Sequence, residues 1–256
     1  MHRVRKGRLP TSEKIVRETF EQLGFVPGKI TPEVAQRDFN RILLEAWKET
    51  LNVLERYERE VYGECLAQEL AKLRKEDFNA ADLEAKQHGF ASGVSLLFKR
   101  WYPYLAEIFL SISQSRKQRG GKDFELQFAM MLDLIKLPYK RIDRQYRVDF
   151  VIPSDEVFSR NRNVAMIASA KRTLRERWRE VVEELHNTRS PNIFLITADS
   201  DVTPNHAKYI CEHYRIHLVV WDEVKDHRFR DEPLVLGYTE WANHRIPFFK
   251  QQWSLT

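Results

Sequence analysis

Residues 147–184 read RVDFVIPSDEVFSRNRNVAMIASAKRTLRERWREVVEE. Two strand-patterned runs flank a polar loop. In the first, Tyr146, Val148, Phe150 and Ile152 alternate, with Asp149 between them. The second, 164–170, is an apolar run with small residues, of the buried kind, and Lys171 ends it. Thr173 can cap a helix whose apolar positions include Leu174, Trp178, Val181, Val182 and Leu185. Lys171 therefore stands where a strand ends and a helix starts, a place where phosphates and ions commonly meet proteins.

Working outward, NIFLIT at 192–197 reads as a further buried strand, and Pro204 opens a helix that runs to His213. YRIHLVVWD supplies a last strand. Strand and helix alternate, which predicts an α/β fold with a largely parallel sheet covered by helices. The tail after Val224, rich in Pro, His and aromatics, gives no readable pattern. Upstream, 139–142 reads as a strand, and Phe124, Phe128, Met131, Leu132 and Ile135 form a helical stripe. RKQRGGKDFE at 116–125 reads as a hinge, with Gly120 and Gly121 in a turn.

The first half is helical in pattern. One helix follows Thr11 or Ser12, and a second begins at Pro32 after Thr31. A stripe from Phe39 to Leu73 has Gly63 as its expected break. A short helix over 77–88 is expected with Asn79 as its cap, and an apolar aromatic helix follows, interrupted at Pro103. The chain thus divides into a helical N-terminal region, 1–112, for support, dimerisation or DNA contacts, and an α/β domain, 113–256.

Lys and Arg total 42 against 37 acidic residues, a net charge of +5. The excess is mild, but it is clustered in RKQRGGK, KRIDRQYR and KRTLRERWR, all in the second half. No apolar run approaches the roughly 20 residues needed to span a bilayer. The basic N-terminus lacks the apolar stretch of a signal peptide, so an intracellular location is expected. Cys65 and Cys211 are far apart and read as free thiols, and the histidines show no metal-ligand spacing.

Phosphodiester hydrolysis needs Mg²⁺ held by carboxylates, an activated water and a cation near the scissile phosphate. Asp149 and an acid from the following helix can hold the ion. Lys171 can orient or help deprotonate the water and offset developing charge. In most nucleases of this chemistry the second acid stands two positions before the lysine, and here that residue is Ser169. The acid must come from elsewhere, and helix geometry leaves Glu180 and Glu184 both open.

Asp149, then SAKRTLRERW at 169–178, then Glu184, resembles the permuted active-site signature of type II restriction endonucleases of the EcoRII, SsoII and PspGI group, and in outline that of their relatives cutting CCGG-containing sites. The resemblance implies a PD-(D/E)XK restriction-endonuclease-like fold, a central mixed sheet flanked by helices. It implies a catalytic set of Asp149, Lys171, Glu184 and Glu125, with Asp149 and Glu184 as the metal ligands and Glu184 preferred over Glu180 by its spacing of 13 residues from Lys171. It implies Mg²⁺, double-stranded DNA with CC and GG half-sites (CCGG- or CCNGG-like), and a homodimer or higher oligomer. A cognate methyltransferase and a prokaryotic cytoplasm follow from the same resemblance. Arg175, Glu176 and Arg177 take the base-reading role, which suits arginine on guanine O6 and N7 and glutamate on cytosine N4. Arg119, Lys122 and Arg172 are the candidate phosphate contacts. Trp47, Arg56 and Tyr57 are candidates for a pocket around an unpaired base, with core packing the simpler account of Trp47. Two rival readings are a structure-specific repair nuclease and a non-catalytic DNA-binding module.

Overall fold

In the computed structural model of the chain, residues 9–70, 75–141, 148–174 and 178–253 are described. The helical elements of the first half are α1 (Ser12–Gln22), α2 (Pro32–Arg37), α3 (Phe39–Leu70), α4 (Lys75–His88) and α5 (Phe90–Leu134). As expected, Thr31 caps α2, its hydroxyl accepting from the Val34 amide at 3.4 Å, with Pro32 at the first helical position.

Three expected breaks are absent. Helix α3 runs through Gly63, and α5 runs through both Pro103 and the Gly120–Gly121 pair. Asn79 lies inside α4, where it caps nothing. Glycine and proline weaken helices locally, by about 1 and 3 kcal/mol, and tertiary contacts outweigh them here. At Gly120 the reason is visible. A Cβ there would lie 2.9 Å from Cδ of Arg172 and would overlap its guanidinium. The glycine serves a close approach instead of a turn.

The sheet has six strands in the order β1 (Lys140–Arg141), β2 (Phe150–Ile152), β3 (Met166–Lys171), β4 (Ile193–Thr197), β5 (His217–Val220), β6 (Val235–Gly237). The first three pair antiparallel and the last four parallel, a mixed sheet. The polar loop after β2 holds a short helix, α6 (Asp155–Arg160), capped by Ser154. Helix α7 (Trp178–Asn187) follows β3, and α8 (Pro204–Lys208) continues as a π turn over Tyr209–His213. Residues 175–177, between Thr173 and the described part of α7, lie outside the described residues, and with them the expected Thr173 cap. The tail that gave no pattern forms α9 (Asp222–Arg228), the edge strand β6, and helical turns ending in Ile246–Trp253.

Strand residues alternate between two apolar layers. Phe150, Ile152, Met166, Ala168, Ala170, Phe194, Ile196, Val219 and Leu236 belong to one, with α1, α2, the start of α3 and the end of α5. Val151, Ile167, Ile193, Leu195, Leu218, Val220 and Val235 belong to the other, with Trp178, Val182 and Leu185 of α7. Burial on both faces explains the nearly continuous apolar runs of β3 to β5.

The boundary expected between 112 and 113 falls inside α5. By contacts the chain splits into one unit of Met1–Thr11 with Asn52–Arg119 and another of Ser12–Leu51 with Gly120–Thr256. In the first unit α4 and α5 pack closely, since a Cβ on Gly93 would meet Ala85 Cβ at 2.6 Å. Ser92 Oγ donates to Glu84 at 2.6 Å, and Arg100 pairs with Asp77. Among the described residues no helix is long and apolar enough to cross a membrane.

His217, at the start of β5, stacks on Phe194 with ring centres 4.9 Å apart. Burial, aided by the positive Arg245, lowers its imidazole from 6.5 to about 4. The unfolded chain therefore binds this proton more tightly. The contribution to stability is complete above pH 6.5 and is lost as pH falls through about 4, to a limit of about 3 kcal/mol. His217→Phe keeps the stack and removes the proton site. Its acid-unfolding midpoint, followed by circular dichroism, should move to lower pH.

Candidate active site

Strand pairing builds the centre. Phe150 of β2 stands opposite Ala168 of β3, which brings Asp149 beside Ser169. Asp149 Oδ2 then accepts from Ser169 Oγ, the Ala170 amide and Lys171 Nζ, each at 2.8 Å. Ser169, in the place where an acid usually stands, is fully buried and serves as a donor to Asp149. The residue type at 169 gave no sign of that role in the sequence, since only the strand register reveals it.

Glu125 reaches the same lysine from α5. Its Oε1 is 3.8 Å from Lys171 Nζ, and its other oxygen is 3.9 Å from Arg141. Burial, and then the negative Asp149, hold its carboxyl above the usual range against the opposing pull of Lys171, Arg141 and Lys122. Asp149, Lys171 and Glu125 are thus brought together. Glu184 lies half-buried on α7, and Glu180 stands in the first turn of that helix. Among the described residues no group of three or more His, Cys, Asp or Glu side chains that could hold a metal ion is found.

Arg175, Glu176 and Arg177 lie outside the described residues. The segment leading to them is held at both ends. Arg172 lies over the Trp47 ring, 5.5 Å from its centre, in the slot that Gly120 leaves open. Trp47 in turn packs edge-on against Phe124, one helical turn after Gly120, which bears out its reading as a packed aromatic. The Leu174 amide donates to Asp199 Oδ2 at 2.8 Å. Asp199 follows β4, is buried, and its other oxygen accepts from the Asp201 amide at 2.9 Å. Sequence reading missed it, because one acid after an apolar strand is an ordinary loop residue.

The remaining candidate cations have intrachain partners. Lys122 Nζ is 2.6 Å from Glu13 Oε1, and Arg119 donates to the Pro10 carbonyl at 2.7 Å. Arg116, in the same basic run as Arg119, is tied to buried Glu58, its Nε donating at 2.7 Å. Tyr57 packs against the small Leu9, Val61 and Cys65 cluster.

A family model described as EcoRII C terminal matches residues 99–234, more than half of the chain. The type II restriction enzyme SsoII of Shigella sonnei is 28% identical over 155 residues. That match covers 56% of this chain and 50% of SsoII, so the chain spans about half the length of this relative. Among solved structures, metal-depleted Ecl18kI in complex with uncleaved, modified DNA superposes with a TM-score of 0.80 at 22% identity, over 97% of this chain and 82% of that one. A PspGI–substrate DNA complex gives 0.64 at 20% identity, over 95% and 94%. At these identities the likeness carries the fold.

The raised affinity of Glu125 for a proton has a consequence for stability. The folded state binds that proton more tightly than the unfolded chain. Stability is therefore lost as pH rises through the folded value, and the loss persists at pH 8. In chelator at pH 8, Glu125→Gln should melt above the wild type, with the gap closing as pH falls below the ordinary carboxylate range. Thermal unfolding at the two pH values measures this.

Proposed function

Because the chain belongs to the EcoRII C-terminal family, we propose that it is a Mg²⁺-dependent type II restriction endonuclease that cleaves double-stranded DNA. The observation that carries the reading is the hydrogen bond from Lys171 Nζ to Asp149 Oδ2, with Glu125 on the other side of the same ammonium. An ammonium between two carboxylates at the end of a strand supports the reading, since phosphodiester hydrolysis can use a cation near the phosphate and carboxylates that hold a metal ion.

The donor set suits Mg²⁺. Asp149 and Glu125 offer hard oxygens, and among the described residues the bonds to Asp149 converge on Oδ2, with none given to Oδ1. Glu184 is the second ligand in this reading, carried on α7 past the triplet. When bound, Mg²⁺ supplies positive charge at the scissile phosphate and lowers the pKa of a water. Lys171, oriented by Asp149, holds the attacking water by hydrogen bonding and offsets charge on the phosphate oxygens. Arg172, fixed on Trp47, lies next in sequence and serves as a phosphate contact.

Arg175, Glu176 and Arg177 read adjacent C:G pairs, so the site contains CC and GG half-sites, CCGG- or CCNGG-like. A palindromic or pseudopalindromic site matches a homodimer, since protein and DNA symmetry then coincide. Activity in a prokaryotic cytoplasm, beside a protecting methyltransferase, completes the reading.

Plasmid DNA incubated with the protein and Mg²⁺ should give discrete fragments, and none in chelator. Lys171→Ala should lower cleavage by roughly 10²-fold or more while retaining DNA binding in a gel-shift assay. Uncut plasmid at every salt concentration would count against the nuclease. Arg175→Ala should relax discrimination by about 1–3 kcal/mol per affected base pair, read by sequencing fragment ends. An unchanged set of ends would remove the triplet from base reading.

A further inference from the structure

Arg119 and Lys122, two of the cations expected to meet phosphate, are engaged within the chain by Pro10 and Glu13. Two other arginines bracket the base-reading triplet. Arg172 precedes it and lies over the Trp47 ring, and Arg179 follows it and lies over the Trp178 ring, each 5.5 Å from the ring centre. A cation–π contact holds a guanidinium in place without consuming its N–H donors. Among the described residues no carboxylate pairs with Arg179.

Arg179 borders a cleft of about 400 Å³ whose other lining residues are Trp178, Asn205, His206 and Tyr209. Trp178 is buried and packed, its ring centre 5.1 Å from that of His206 and 5.4 Å from that of Tyr209. Tyr209 is hydrogen-bonded to Tyr214 and stacked on His213 at 5.0 Å. It opens the π turn Tyr209–His213, and such turns are frequent at functional sites. Arg179, Asn205 and Tyr209 are exposed, so the cleft is open to a ligand. Its donors are the Arg179 guanidinium, the Asn205 amide and the His206 imidazole, which carries an N–H in either protonation state. Neither Asp nor Glu is among the lining residues. Packed aromatic rings and uncommitted donors thus share one cleft, and that chemistry suits an oxyanion.

The place of the cleft in the chain identifies the oxyanion. Arg179 is two residues after Arg177. Two residues span at most about 7 Å, whereas the major groove is about 12 Å wide and bordered by phosphates. With Arg177 on a base edge, Arg179 stands within reach of the backbone beside that base. Backbone contacts of this kind fix the register in which bases are read. We propose that the cleft between Trp178 and Tyr209 holds a backbone phosphate of bound DNA next to the read bases, with Arg179 and His206 as its donors. Arg172 and Arg179 then grip the backbone before and after the triplet.

This inference rests on the DNA-reading function proposed above, and the two can fail separately. Arg179→Met keeps the stem over Trp178 and removes the charge. In chelator it should lower the slope of log affinity against log salt by about one, for specific and unrelated DNA alike. Single methylphosphonate linkages, scanned outward from the read bases, should include one that weakens wild-type binding roughly 10-fold and leaves Arg179→Met unaffected. If Arg179→Met fails to fold, the same scan on His206→Phe decides, since that variant keeps a ring against Trp178 and removes the donors. Absence of such a linkage would overturn the phosphate site and leave the endonuclease standing. Failure of the wild type to bind DNA at low salt would overturn both. Calorimetric binding of inorganic phosphate by the wild type and not by Arg179→Met, with equal DNA affinities, would assign the cleft to a free anion and overturn the backbone contact.

Discussion

One oxygen, Asp149 Oδ2, organises the candidate site. It receives a hydroxyl, a backbone amide and an ammonium at the same 2.8 Å. Charge-assisted bonds of this length are among the stronger ones available to a carboxylate. Together they fix the Lys171 side chain to the strand that carries it. The geometry depends on the register of β2 against β3, in which Phe150 meets Ala168. A slip of one residue would turn Asp149 to the opposite face of the sheet and separate it from Ser169 and Lys171. The apolar alternation of Phe150, Val151 and Ile152 between two buried layers is what holds that register.

The strands were legible because burial writes itself into composition. Runs such as 164–170 and 192–197 are apolar on both faces, and both became strands in a mixed sheet. Asp149, Lys171 and Glu125 were legible too, the last through resemblance. The breaks were not. Gly63, Pro103 and the Gly120–Gly121 pair are local signals, and distant packing overrode them. Gly120 leaves room for the side chain of Arg172, 52 positions later, which no local signal announces. The tail after Val224 was opaque for the opposite reason. Its strand is only Val235–Gly237, too short for a period, and two of its large aromatics, Tyr238 and Trp241, disappear into the core.

In the proposed function, cutting and reading are joined by a short linker whose described part, up to Leu174, has two anchors. Arg172 is pinned on Trp47, and the Leu174 amide is pinned on Asp199. Asp199 itself is fixed by β4, whose Thr197 hydroxyl accepts from the Asp199 amide at 3.1 Å. The base-reading residues in the proposed function therefore follow directly from a segment whose backbone is tied to the sheet on one side and to an aromatic platform on the other. Rigid placement of this kind lowers the ordering cost of recognition.

Ser169 carries a historical consequence. Returning an acid to that strand position would not restore the commoner nuclease arrangement. It would delete a donor to Asp149, and it would bury a second carboxylate, without solvent, beside the first. In the proposed function the second acid sits on the helix after the strand, so moving it back would need changes at both places at once. A single substitution at Ser169 would only crowd Asp149.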